Sequence, residues 1–571
     1  MPHHTPSAIE IDRKLRDDFR RRLRDYGVSA EAVDPILSVL FRSFATQIES
    51  VYAETSRIRL ALLDELIAGL GIEPRMARPA QTIVRFLAAS DKGTVVIPEG
   101  TGLLGEAQSG ERLNFSTDAT VAVSGARIAA AFAYQDGNLR LLPGHEMPDE
   151  FQNSRPSLEP VRAPLGAGSA LYLAIEGLAP EHLSRHSFYF EFGPDAIGLE
   201  KALANEPWCL VGNDGELSSK GILRPHSGNA GLRSLEWLVR KNEPETGERE
   251  YQDARPWLPP GFYGSRVFVL PDIEPERMFQ CVMPRRFEAV LPRLFGREAA
   301  SLFSHPRAWL RVSFPGDCAP LASGIGSVFL HAITASNVEC LNQTFHFESQ
   351  GTMLPIGSNV GVSTYLVAPL SILGETGSEM GAAYLPDQTP SSDPRVGRYK
   401  LQHQRLELRP ALRPDGAPEA YANVRLWMTN GALGNTIGPG RIQSTLKAPG
   451  FNDVRVLNPV SATGGTNGET LEQALDRFQA TLLTRDRIVT EPDLEAIVRA
   501  FDRRIVRVTS KTGLRRTTTG LQRVQQLKLQ LDYASFVDPD IESRILVDEL
   551  EQKLREGILY GTEIALEASW V

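Results

Sequence analysis

The sequence predicts a multidomain α+β protein: an N-terminal helical bundle segment, a central β-rich, sandwich-like region, and a C-terminal ferredoxin-like α+β unit. Three observations carry this reading. Apolar residues recur in steps of three and four from Leu37 to Leu66, the period of one helix face. Short alternating or wholly apolar runs, cut by Gly and Pro, fill the middle. A helix–strand–strand–helix–strand succession ends the chain, most of a ferredoxin-like unit. At 571 residues the chain exceeds one core, and we divide it at 1–76, 77–385, 386–468 and 469–571.

Taken in order, Ser7 to Asp25 makes a first helix whose alternating Arg and Asp give a solvated face. The longer stripe follows, through Leu37, Leu40, Phe44, Ile48, Val51, Ile58 and Leu62. It exceeds what the first helix can cover, so it lies either on its own domain or in a multi-chain bundle. From Arg78-Pro79 the texture changes to strands. Gln81–Ala88, Gly93–Ile97, Val121–Val123, Ile128–Tyr134, Leu171–Ile175, Phe188–Phe192 and Phe268–Leu270 are candidates. Helical pieces at Glu274–Phe287 and Leu291–Leu302 interrupt them. Strands resume at Trp309–Phe314, Ser327–Ile333, Tyr365–Pro369 and Leu406–Leu408. The final domain reads as helix Glu469–Thr484, helix Glu491–Phe501, strand Ile505–Thr509, a polar turn from Gly513 to Gly520, strand Val524–Leu531, helix Ile541–Arg555 and strand Thr562–Val571. A short first strand, Arg487–Val489, would complete it.

Lys plus Arg number 61 against 70 Asp plus Glu, so the net charge of −9 opposes a protein built to grip phosphate backbones. No apolar run reaches the roughly 18 residues that a membrane span requires, and no secretory h-region is visible. A cytoplasmic protein is the expectation. The four cysteines form no CxxC pair, which fits buried free thiols better than a disulfide framework or a zinc ribbon. No phosphate loop, dinucleotide fingerprint or nucleophile elbow occurs. His182 and His186 have the spacing of two ligands on one helix face, but lack a third. Cys340 has no neighbour in sequence to activate it. We therefore expect no catalytic residue, no metal and no cofactor.

One electrostatic feature stands out. Arg503, Arg504, Arg507, Lys511, Arg515, Arg516, Arg523 and Lys528 span a hairpin with no acidic residue among them. Such a finger is a solvated turn, a dock for an acidic protein surface, or a nucleic-acid contact. Its tip, Thr517-Thr518-Thr519, has no aromatic platform, which weakens the last of these.

The order of short motifs resembles a known family. Ala77-Arg-Pro-Ala80, Thr82-Ile-Val-Arg-Phe86, Val96-Ile-Pro-Glu-Gly-Thr101 and Asn114-Phe-Ser-Thr117 resemble the TssF family, wedge subunits of the type VI secretion baseplate, as do Asn337-Val-Glu-Cys-Leu-Asn342, Pro355-Ile356 and Thr364-Tyr-Leu-Val367. Gly431-Ala-Leu-Gly-Asn435, Asn458-Pro459, Gly464-Gly465 with Glu469, and Leu482 to Glu495 look more like the baseplate J-like wedge proteins of contractile phage tails. The resemblance touches most of the chain. It implies a non-enzymatic structural wedge subunit, with 77–385 as outward wing domains and 386–468 as a J-like domain. The machine is a type VI system, an extracellular injection system or a phage tail-like particle. It also implies partners: a second copy of the chain, a smaller TssG-like wedge subunit, and other baseplate, sheath-initiating and spike proteins, but no nucleic acid, with any membrane-complex contact indirect. The helical stripe named above is then the bundle surface, and Arg507, Arg515, Arg516 and Arg523 the charged contacts of the C-terminal assembly domain. The alternative is a tail-associated glycan-degrading enzyme or glycan-binding adhesin on a β-scaffold.

Overall fold

The structure, a computed structural model, describes most of residues 7–26, 36–52, 76–178, 186–225, 263–347, 353–375, 384–469, 491–536 and 543–570, with short gaps inside these spans. The chain divides into two compact units. One comprises Met1–Arg75 with Glu469–Arg485, the other Met76–Gly468 with Asp486–Val571.

In the first unit, helix Ala8–Asp25 opens on a capping box. The Ser7 hydroxyl accepts from the Glu10 amide, and the Glu10 carboxylate accepts from the Ser7 amide. Residues 36–52 form a second helix, running antiparallel to the first. Phe19 meets Phe41 edge-on with ring centroids 5.3 Å apart. Nearer the other end, the Ala8 amide donates to Glu49. The solvated face is laced by Arg16–Asp12 and Arg22–Asp18 ion pairs one turn apart.

The second unit is organised around a six-stranded antiparallel hub sheet. Its order is Ile442–Thr445, Gly102–Glu106, Arg112–Thr117, Ala332–Ser336, Gln81–Ala88 and Val454–Leu457. The strand expected at Gln81–Ala88 is found with those bounds, and it pairs with strands made some 250 and 370 residues later, Gln81 opposite Ser336 and Arg85 opposite Leu457. Asn458 joins the two edge strands, accepting from the Ile442 amide at its side chain and from the Gly440 amide at its carbonyl, so the sheet curls. Phe86, Leu103, Phe115, Ile333 and Val456 fill the interior, and the small sheet Val95–Ile97/Val121–Val123 contributes Ile97, Val121 and Val123 to it.

Between the hub strands the chain makes two long excursions. The first builds an eight-stranded sheet around Ser169–Glu176, Arg127–Gln135 and Ala308–Phe314, and a four-stranded sheet around Ser187–Phe192 and Ile325–Leu330. Leu171, Leu173 and Ile175 face the smaller sheet, while Tyr172 and Ala174 face the short helices Arg285–Glu288, Leu291–Phe295 and Ala299–Leu302. Burial on both faces explains why these strands read as unbroken apolar runs rather than as alternation. Trp309, Phe132 and Phe287 pack together beneath the helices. The second excursion, from Glu339–His346 to Tyr421–Thr429, packs a three-stranded sheet on a four-stranded one around Phe345, Ile372, Leu406 and Val424. Leu385–Pro386 pairs with Arg398–Gln402 in that second sheet, so a boundary at 385/386 passes through it.

Three sequence expectations are corrected here. Ser327–Ile333 is not one strand: His331, at φ +57°, separates Ile325–Leu330 from Ala332–Ser336. Gly513–Gly520 is not a turn, because the strand runs on from Ile505 to Thr517 and pairs with Gly520–Leu531. The C-terminal module is also not ferredoxin-like. A split βαβ needs a strand between the two parallel ones, yet Gly520–Leu531 pairs directly and in parallel with Thr562–Trp570, from Arg523 opposite Thr562 to Leu531 opposite Trp570. That contact fills the slot. The candidate strand Arg487–Val489 and most of helix Glu469–Thr484 lie outside the described residues. Helix Glu491–Phe501 is found as expected, and Leu494, Val498, Leu527, Leu529, Leu546 and Leu550 make the module's core.

Candidate assembly surfaces

The apolar stripe of helix 36–52 is wider than its partner helix. Ala45 is buried and Ile48 half-buried on the flank that meets Ala8–Asp25. The other flank keeps Leu40 46%, Phe44 55% and Val51 62% exposed, with Val39 at 69%. At 100° per residue, Leu40, Phe44 and Val51 fall within one sector. Leu37 is half-buried beside it, while Ile58 and Leu62 lie outside the described residues. Along the hairpin runs an open cleft of about 510 Å³, with Ile11, Leu15, Ile48 and Tyr52 as apolar lining and Lys14, Asp17, Asp18 and Arg21 as charged lining. A cleft lined by apolar and charged side chains in equal number is amphipathic, the character that an amphipathic helix matches.

The basic hairpin is longer than the sequence suggested. Its two strands pair out to Thr517 opposite Gly520, whereas the third strand begins only opposite Arg523. The register positions of Arg515 and Arg516 therefore lie past the end of the third strand. Arg507 and Lys511 are exposed. Two cations are already engaged elsewhere: Arg504 chelates Asp502 and stacks over Phe536, and Lys528 pairs with Glu567 at 2.9 Å. The third strand thus supplies acid that a reading of Arg503–Lys528 alone could not see.

The motifs that carried the family resemblance converge on the hub as hydrogen-bonded staples. The Thr101 and Thr117 hydroxyls both donate to the Pro98 carbonyl, and Thr117 Oγ1 also accepts from the Thr101 amide. Asn337 Oδ1 accepts from the Asn430 amide and the Thr429 hydroxyl, while its Nδ2 donates to the Asn114 carbonyl and to Asn430. Asn435 exchanges two bonds with the Gly465 backbone, at 2.8 and 2.9 Å. A Cβ at Gly465 would sit 2.4 Å from the Gly431 carbonyl, so only glycine fits there. Buried amides satisfied on every side position backbone; they offer no reactive group. Asn342, the last residue of its motif, instead accepts from Arg425 on an exposed strand.

Among the described residues, the arrangement nearest to a nucleophile and base is Ser124 with His186 and His331. Ser124 Oγ lies 3.2 Å from His186 Nε2 and 3.4 Å from His331 Nε2. All three residues are at most 5% exposed, which denies a substrate access. His186 immediately precedes strand Ser187–Phe192, and His182, its candidate partner ligand, lies outside the described residues. Asp118, 4% exposed, keeps Oδ2 without a hydrogen-bond donor. Burial, reinforced by Glu99, pushes its carboxyl up to about 7 against the hydrogen bonds from Ser336. Among the described residues no cluster of three His, Cys, Asp or Glu side chains could hold a metal, and no helix is long and apolar enough to cross a membrane.

No family profile and no curated protein matches the chain. Solved structures similar to it include baseplate chains. One belongs to the TssK-TssF-TssG baseplate subcomplex of the type VI secretion system, 13% identical, covering 93% of this chain and 96% of that one, with a TM-score of 0.44. Another belongs to the baseplate complex from the type VI secretion system, 14% identical, covering 99% and 95%, with a TM-score of 0.44. A third belongs to the anti-feeding prophage baseplate, 11% identical, covering 96% and 70%, with a TM-score of 0.31.

Proposed function

We propose that this chain is a non-enzymatic wedge subunit of the baseplate of a contractile injection system, TssF-like in its first part and baseplate J-like in its last. It works in the cytoplasm and assembles with a second copy of itself and a smaller TssG-like partner, beside the sheath-initiating and spike proteins. The observation that carries the reading is the exposed flank of helix 36–52, with Leu40, Phe44 and Val51 in one sector. Fully burying an exposed side chain of this kind contributes roughly 1.5–3 kcal/mol, and these three are already about half covered, so a partner helix gains roughly half that from each. The motif order, in residues that staple the hub rather than react, supports a scaffold over an enzyme. The basic hairpin, through Arg507, Arg515, Arg516 and Arg523, provides a salt-sensitive contact with an acidic partner surface.

The test is co-purification. The double substitution Leu40→Asp with Phe44→Asp should leave the chain folded by circular dichroism but release it from partners encoded beside it. An intact complex would sink the bundle assignment.

A further inference from the structure

Two crossings of the chain between the hub and the first sandwich, and the start of a strand of its small sheet, meet at one polar cluster. Ser124 lies between strand Val121–Val123 of the hub core and strand Arg127–Gln135 of the large sheet. His186 immediately precedes Ser187–Phe192 of the small sheet. His331 separates Ile325–Leu330 of that sheet from Ala332–Ser336 of the hub. The rings of His186 and His331 are 5.2 Å apart, and both present Nε2 to the one hydroxyl. Backbone bonds run through the same point: the Phe86 amide donates to the His331 carbonyl, and the His331 amide to the Ser187 carbonyl.

The donors assign the protons. The Ser124 amide points at His331 Nε2, so that nitrogen must be the acceptor. With His186 as its Nε2–H tautomer, the Ser124 hydroxyl donates to His331 and accepts from His186 and from the Ala126 amide. A proton on His331 Nε2 would face two donors and break the chain of bonds. We propose that the Ser124–His186–His331 relay is a proton-operated latch that fixes the first sandwich on the hub, closed while His331 is neutral. The charged and titratable neighbours of the His331 ring, His186 and Arg85, both disfavour a further positive charge. Arg85 itself stacks over Phe329 of the small sheet. Burial first, then His186 and Arg85, holds the His331 imidazole well below its usual range. A base whose native value is lowered stabilises the closed form fully above the unfolded imidazole value near 6.5, and progressively less as pH falls below it.

Hydrogen exchange of the full chain carrying Asp118→Asn, which removes the opposite pH dependence of that hub carboxyl, at pH 7.5 and 5.0 and corrected for intrinsic chemistry, tests this. Peptides containing Phe86, Ser124 and His331 should lose protection by about tenfold or more at pH 5.0, one decade for each pH unit of linkage, while the hairpin Ile505–Leu531 changes little. His331→Asn, a residue that tolerates positive φ and cannot titrate, should abolish that difference. Equal protection at both pH values, or an undiminished difference in His331→Asn, overturns the latch. If His331→Asn does not fold, His186→Gln serves: it keeps a donor to Ser124 and leaves His331 to titrate, so the difference must persist. Its loss there would overturn the assignment of His331.

Discussion

In the hub, Phe86, Phe115 and Ile333 are at most 1% exposed, and Asn337, Asn435 and Asn458 are enclosed with their amides hydrogen-bonded. Along residues 36–52, Leu40 and Phe44 stand half in solvent. Both regions are rich in apolar residues, but the hub satisfies its residues within one chain through pairings between distant segments. Among the described residues the hairpin offers one helix, Ala8–Asp25, to a stripe whose Leu40, Phe44 and Val51 it leaves in solvent. Closure and incompleteness in the same molecule separate what holds the subunit together from what, on the reading above, joins it to others.

Substitutions can break or sharpen that contrast. The largest effect is expected at Gly465→Ala, whose methyl group would meet the Gly431 carbonyl and displace the Asn435 bonds. Leaving these buried groups unpaired should cost of order 3 kcal/mol in denaturant unfolding of the second unit. Next comes Asp118→Asn. Because the native carboxyl is raised to about 7 from 3.8, it binds its proton more tightly when folded, so its contribution is full below pH 4 and is lost as pH rises to 7. The asparagine variant should therefore gain on the parent with rising pH, by about 1–3 kcal/mol at pH 8; a constant difference from pH 4 to 8 would refute the burial cause. Leu40→Asp with Phe44→Asp should move thermal stability by less than about 0.5 kcal/mol, the scale of exposed sites, despite its effect on assembly. Last, Arg515→Glu with Arg516→Glu should weaken assembly several-fold at low salt and little at high salt, as read by sedimentation.

Much of the local structure was legible from residues alone. Gln81–Ala88, Val121–Val123 and Glu491–Phe501 follow from period and punctuation, since near neighbours in the chain decide them. The hub was not legible, because nothing near Gln81 announces Ser336 as its partner. Gly513 signalled a turn, but it sits opposite Val524 within a continuous ladder, where tertiary pairing overrides glycine's weak strand preference. The site was legible in part. The stripe is visible as a period, but which flank stays exposed depends on where Ala8–Asp25 lies. The His186–His331 contact joins residues 145 apart through a backbone turn with positive φ, and no spacing rule reports that.

The hub's pairing has a consequence for how the protein is born. Strand Gln81–Ala88 leaves the ribosome early, yet its outer neighbour, Val454–Leu457, is translated last among the hub strands. Both sandwiches can mature during synthesis, while this early strand must wait with one edge open, as prone to stray pairing as any bare edge. A nascent chain stalled before residue 454 should then be the form that most needs a chaperone.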